Sequence, residues 1–170
     1  MHAKWIGALL IIFSCGYLGF FMAAQKRKSE RMLLVLSRGI SFMKCELKFH
    51  LTPLPDLCIL AAQHTKGDIG YIFQQFAKEL TNYKVTDVTE CMDNVLFSSA
   101  SIPQPVRKIF IELGEILGCF DLEGQLKGLD AVSESCDREI EALSTNRDVR
   151  LRSYQTLGLC AGAALVILLI

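Results

Sequence analysis

The sequence lacks the motifs of the common enzyme classes. It contains no Walker loop, no G-x-G-x-x-G, no G-x-S-x-G and no H-E-x-x-H. Of its three histidines, His2 lies close to the amino end, which leaves His50 and His64 as candidate bases or ligands. Cys45 and Cys58 lie near them in sequence, but the spacings fit no common zinc pattern. We therefore expect no catalytic residues, no metal site and no cofactor.

The sequence also lacks paired cysteines. There are seven, at positions 15, 45, 58, 91, 119, 136 and 160, and none forms a C-x-x-C motif. An odd number without paired spacing does not indicate a disulfide framework. In a cytoplasmic domain such cysteines stay reduced, and most are buried as small hydrophobic residues.

Charge is absent from two long runs. Residues 5–24 are 20 consecutive uncharged residues, WIGALLIIFSCGYLGFFMAA, and residues 153–170 are 18 more. At 1.5 Å per residue, a helix of 20 residues is about 30 Å long, which matches a bilayer core. A cleaved signal peptide is disfavoured, because Met22 stands where the cleavage pattern requires a small residue. The sequence predicts transmembrane helices in residues 1–25 and 153–170, with a helical domain in residues 26–152.

Basic residues flank this domain at both ends. Four follow the first run and three precede the second: Lys26, Arg27, Lys28, Arg31, Arg147, Arg150 and Arg152. Loops rich in Lys and Arg stay on the cytoplasmic side of a membrane. We therefore expect a cytoplasmic middle domain with both termini outside.

Acidic residues dominate the rest of the domain. Residues 32–146 contain 16 acids against 10 bases. This balance makes nucleic acid a poor partner and a basic patch on another protein a better one. Four acids cluster on the last predicted helix and form a candidate partner surface: Glu134, Asp137, Glu139 and Glu141. The alternative is an ordinary solvated face.

Apolar residues recur at helical spacing through the whole domain. The stripes include Leu36-Ile40-Met43-Leu47, Ile69-Ile72-Phe73-Phe76-Leu80 and Val106-Ile109-Phe110-Leu113-Leu117. The fold class predicted is all-α, a compact bundle of about six helices between the two spans. The last helix is expected to run into the second span, since no Gly or Pro occurs from 129 to 157. Thr52 or Asp56 is expected to cap the second helix and Thr86 or Asp87 the fourth.

The stretch ELGEILGCFDLEGQLKGLD, residues 112–130, reads either as an active-site loop or as a corner between two helices. The corner is favoured. Gly118 suits the residue just past a helix C-terminus, and Asp121 suits the N-cap of the next helix, with Glu123 in its first turn. Pairs of glycines four residues apart would also let the two helices approach closely.

Small residues recur within the predicted spans as well. Gly19 and Ala23 are four residues apart, as are Gly158 and Gly162. Small residues permit close helix contact in lipid. They are consistent with dimerisation, and equally with packing of the two spans against each other.

Two motifs resemble those of the stage III sporulation protein AB family. The first is TPLP, formed by Thr52, Pro53, Leu54 and Pro55. The second is LGCFDLEGQLKGL, whose residues include Leu117, Gly118, Asp121, Glu123, Gln125 and Lys127. The resemblance covers essentially the whole chain. The family usually has Ser or Thr where this chain has Phe120, so the cap is expected to depend on Asp121.

The resemblance implies a non-enzymatic component of the sporulation channel between mother cell and forespore, with a domain similar to type II secretion F proteins. It implies a mother-cell membrane location and contact with the channel's ATPase and polytopic membrane subunits. A homo-oligomer is compatible with it. Two other functions stay open on the residues alone: a membrane-tethered signalling adaptor, and a small membrane enzyme with a cysteine nucleophile.

Overall fold

The structure is a computed structural model. It describes the backbone of residues 2–82, 87–99, 102–118 and 121–169, and the side chains of these segments between residues 24 and 145. The described residues form six α-helices and no strand. The helices are α1 His2–His50, α2 Leu54–His64, α3 Asp68–Asn82, α4 Val88–Ser98, α5 Gln104–Leu117 and α6 Leu122–Leu169. The all-α class and the helix number are confirmed.

The chain divides into two compact units. One comprises residues 29–140, and the other comprises residues 1–28 together with residues 141–170. Among the residues that the structure describes, no helix is both long enough and apolar enough to cross a membrane. Residues 5–23 of the first predicted span and all of the second lie outside the residues whose side chains are described. The same is true of Gly19, Ala23, Gly158 and Gly162.

The core of the first unit consists of the apolar stripes that the sequence predicts. Leu36, Ile40 and Met43 of α1 are fully buried, because residues three and four apart lie on the same face of a helix. The rings of Phe73 in α3 and Phe110 in α5 meet edge to face, with centroids 5.3 Å apart. From α6, Leu129, Val132 and Cys136 complete the same core.

Within the unit of residues 29–140, the parts of α1 and α6 that belong to it lie next to each other and run in opposite directions. The Cys136 thiol lies 3.5 Å from the carbonyl oxygen of Leu33 and donates a weak hydrogen bond to it. Further along α1, the Lys44 ammonium forms an ion pair with Asp130. From the first contact to the second, the residue number rises on α1 and falls on α6, so these parts of the two helices are antiparallel.

Helix ends confirm some predicted caps and correct others. Asp87 caps α4, accepting a hydrogen bond of 2.9 Å from the Thr89 N–H. Neither Thr52 nor Asp56 caps α2, whose N-cap position is Pro53 with no side-chain hydrogen bond. Since Pro55 follows in the first turn and has no N–H, one donor that a cap would satisfy is missing. The Thr52 hydroxyl instead donates to Glu46 Oε1 at 2.9 Å.

Candidate functional site: the α5–α6 corner and the exposed face of α6

The end of α5 differs from the prediction at Gly118. This residue has φ −74° and ψ −13°, so it continues the right-handed helical conformation instead of adopting the left-handed one. A Cβ placed there would meet no atom closer than 3.5 Å. Gly118 is the residue just past the end of α5, as the sequence predicts, but α5 ends without the left-handed conformation that a glycine commonly adopts there.

Asp121 caps α6 as predicted. Its Oδ1 accepts a hydrogen bond of 2.9 Å from the Glu123 N–H, and its Oδ2 accepts one of 3.0 Å from the Gly124 N–H. A Cβ at Gly124 would lie 2.7 Å from Asp121 Oδ2, so the glycine leaves room for the capping carboxylate. The Gln125 side-chain amide donates to the Leu117 carbonyl oxygen at 3.4 Å, which satisfies one of the last acceptors of α5.

The other motif residues also have structural contacts. Glu123 forms an ion pair of 2.6 Å with Lys127, one helical turn further on, and both side chains are about three-quarters exposed. Leu117 is buried. A Cβ at Gly128 would lie 2.9 Å from Cγ1 of Ile116, so α5 and α6 approach closely there, as the glycine spacing predicts. The stretch is a corner, and its carboxylates do not converge on a common site.

The TPLP motif comprises the end of the α1–α2 connection, Thr52 and Pro53, and the first two residues of α2. Leu51 just before it has φ 52°, a left-handed conformation that is uncommon for a residue with a bulky side chain. Glu46 holds the connection from the helix side, accepting from Thr52 and pairing with His50 Nδ1 at 3.2 Å. Leu54 and Pro55 are half-buried.

The structure separates the four acids of the candidate partner surface. Glu134 and Asp137 are exposed, and Glu134 has Arg138 at 3.9 Å on the same helix. Glu139 is half-buried and accepts a hydrogen bond of 2.9 Å from Lys108 Nζ of α5. This bond raises the pKa of Lys108 above its ordinary value. Glu141 belongs to the second unit of the chain. We define the α6 acidic face as Glu134 and Asp137.

Sequence reasoning missed the partners of two acids. Lys108 and Glu139 are 31 positions apart, and Lys44 and Asp130 are 86 positions apart. Neither pair has a spacing signal, because the chain fold alone brings them together. Glu139 therefore serves to join α5 and α6, and it is a poor candidate for contact with another protein.

Of the four cysteines with described side chains, three are buried, which makes them poor nucleophiles. Burial raises the pKa of the Cys58 and Cys91 thiols, and it raises that of Cys136 from 9.0 to about 12. A thiol must lose its proton to act as a nucleophile. The fourth, Cys45, is exposed.

The candidate metal ligands are not gathered either. The ring of His64 stacks on that of Phe42, with centroids 4.5 Å apart. Within the described segments, no group of His, Cys, Asp and Glu is arranged to hold a metal ion.

Comparisons with known proteins agree with the resemblance of the motifs. The family model of stage III sporulation protein AB matches residues 4–170. The chain is similar to stage III sporulation protein AB of Bacillus subtilis (strain 168), with 22% identity over 171 residues that cover 98% of each sequence. A solved structure of a stage III sporulation protein AB superposes with a TM-score of 0.61 at 16% identity, covering 72% of this chain and 98% of the other. The structural likeness supports the helical fold, and the family match covers nearly the whole chain.

Proposed function

This chain belongs to the stage III sporulation protein AB family, and we propose that it is a non-enzymatic scaffold subunit of the sporulation channel between mother cell and forespore. In this role it is anchored in the mother-cell membrane and links a cytoplasmic ATPase to the membrane subunits of the channel. The observation that carries the proposal is the extent of α6, one helix from Leu122 to Leu169. The α6 acidic face and the second uncharged run therefore belong to the same helix.

Membrane anchoring rests on the two uncharged runs. Residues 5–24 and 153–170 have the length that a bilayer core requires. Residues 5–24 lie within α1 and residues 153–169 within α6. A helix forms hydrogen bonds between its own backbone N–H and C=O groups, which lipid cannot provide. The seven basic residues that flank the domain support a cytoplasmic side for it, where anionic lipid and an ATPase would both be accessible.

The docking surface of this proposal is the α6 acidic face. Glu134 and Asp137 lie three residues apart on the exposed side of the helix, opposite the buried Val132 and Cys136. Exposed ion pairs contribute about 0–1 kcal/mol each, so an ATPase held there must present several basic side chains. Such a contact weakens as salt rises, since exposed charges are screened beyond about 10 Å at 0.1 M.

The experiment reverses the charge of the α6 acidic face. The full chain with Glu134→Lys and Asp137→Lys is produced in a sporulating host. We expect loss of ATPase recruitment, measured by co-purification with the membrane fraction, together with a defect in spore formation. Glu139 is left unchanged because replacing it would also break its ion pair with Lys108 of α5 and confuse docking with stability.

The matched control carries Asp56→Lys and Glu123→Lys, which changes the net charge equally at exposed sites elsewhere. We expect this control to recruit the ATPase normally. Normal recruitment by the α6 variant, at wild-type protein levels and with an unchanged circular dichroism spectrum, contradicts the docking surface. Equal loss in both variants also contradicts it, because net charge alone would then explain the effect.

A further inference from the structure

The outer side of the α2–α3 hairpin contains an open groove of about 690 Å³. Its walls include Ile59 of α2 and Tyr71 of α3, which are 42% and 56% exposed. Lys66 and Lys78 also line it, and no acidic side chain does. Among the described residues, neither lysine takes part in an ion pair. The groove is therefore apolar in its walls and positively charged.

The outer face of α4 is negatively charged and carries an exposed aromatic side chain. Phe97 is 86% exposed although it is one of the largest apolar side chains. Glu90, Asp93 and Asn94 are exposed on the same stripe, since positions 90, 93, 94 and 97 lie on one side of a helix. The other side of α4 packs into the core through Met92 and Leu96. No residue of α4 lines the groove, so Phe97 does not fill the groove of its own copy.

We propose that the α4 outer face, Glu90, Asp93, Asn94 and Phe97, docks into the α2–α3 groove of a second copy of this chain. Phe97 is the anchor that enters between Ile59 and Tyr71, in the way that buried aromatic side chains anchor protein interfaces. The carboxylates of Glu90 and Asp93 complement the positive charge of the groove. This interface goes beyond the proposed function and uses neither residue of the α6 acidic face.

The spacing of the two faces specifies how the helices align. Seven residues separate Glu90 from Phe97 on α4, and seven separate Tyr71 from Lys78 on α3. Both separations are about 10.5 Å along a helix. When the helices pack antiparallel with Phe97 against Tyr71, Glu90 lies opposite Lys78. Lys66 then lies near the C-terminal end of α4, which has no basic residue in its last turn and attracts a cation.

Each copy offers both an α4 face and a groove, and the two surfaces are different. Such a contact is heterologous, so it adds subunits head to tail and forms a ring or an open array. Subunits anchored in one membrane meet in a plane, which suits a ring or a two-dimensional array around a channel.

The test uses the full chain in proteoliposomes, with a photo-reactive benzoylphenylalanine at position 97. We expect cross-linked dimers and higher oligomers, with the attachment site mapped by mass spectrometry to α2 or α3 near Ile59 and Tyr71. The same probe at Phe49, which is 70% exposed and outside both surfaces, is the matched control and is expected to give no such product. Attachment of the position-97 probe only to lipid, or to position 97 of another copy, overturns the proposal.

A charge exchange tests the alignment. With the probe at position 97, Lys78→Glu and Glu90→Lys are each expected to lower the yield of oligomer about fivefold, and the double variant restores it. Both side chains are exposed, so circular dichroism is expected to show an unchanged fold. No loss in the single variants, or no recovery in the double variant, overturns the interface. Recruitment of the ATPase is read separately, so the two proposals can fail independently.

Discussion

Gly70 lies in the first turn of α3, and Gly118 lies directly after the end of α5. The space for a side chain is very different at the two positions. A Cβ at Gly70 would collide with the backbone carbonyl oxygen of Thr65 and lie 3.0 Å from that of Ala62. Backbone atoms cannot move aside as a flexible side chain can, so hydrogen is the only side chain that fits there. At Gly118 the nearest atoms are 3.5 and 3.6 Å from such a Cβ, which is ordinary contact.

Alanine at these two positions is expected to separate the two cases. Gly70→Ala should destabilise the domain by about 2 kcal/mol or more, because α2 and α3 must move apart. Gly118→Ala should change stability by at most about 0.5 kcal/mol in either direction, since its backbone is already helical. Thermal unfolding of the full chain in detergent, followed by circular dichroism, measures both. Equal melting temperatures for the two variants would contradict the distinction.

The roles of single glycines were only partly predictable from the sequence. Spacing indicates that a glycine lies near a helix end or a close contact, and Gly128 against Ile116 confirms this. The backbone conformation at Gly118 depends on how the chain leaves α5, and no local pattern encodes it. The constraint on Gly70 depends on the path of the α2–α3 turn, where Gly67 has φ 74°.

At the scale of the helix, the periodicity of apolar residues was sufficient to predict which side chains are buried, because each stripe packs against the same core. The predicted residues Ile69, Ile72, Phe73 and Phe76 are all buried on the inner side of α3. Which helices lie next to each other was not predictable, because the charged side chains that join them are far apart in the sequence. The candidate partner surface predicted on α6 consequently included Glu139, which α5 already engages through Lys108.

The N-terminal cap of α6 gives a prediction at this scale. Asp121→Ala is expected to destabilise the domain by about 1 kcal/mol, because two backbone N–H groups lose their acceptor. Asp121→Asn should retain most of that stability, since an amide oxygen also accepts. Glu123→Gln should cost only a few tenths of a kcal/mol, because its pair with Lys127 is exposed. Chemical denaturation measures all three, and a Glu123→Gln effect as large as that of Asp121→Ala would contradict this account.

For the whole molecule, the proposed orientation across a membrane rests on charge at both ends of the domain. Residues 26–31 and residues 147–152 supply basic side chains next to the two uncharged runs, and the two sets agree on one cytoplasmic side. Of residues 1–4, which precede the first run, His2 and Lys4 have side chains that can carry positive charge. Moving the domain to the outside would bring seven basic residues across the membrane, against the bias that sets topology.

Labelling with a membrane-impermeant maleimide tests this orientation in intact cells. The reporter is Ser98→Cys, at an exposed position near the end of α4, in a chain in which the exposed Cys45 is replaced by Ser. If the domain lies inside, as proposed, the reporter is expected to stay unmodified until the cells are permeabilised. His2→Cys in the same background is the control and is expected to react from outside. Rapid labelling of Ser98→Cys in intact cells would reverse the orientation, and an ATPase confined to the cytoplasm could then not reach the α6 acidic face.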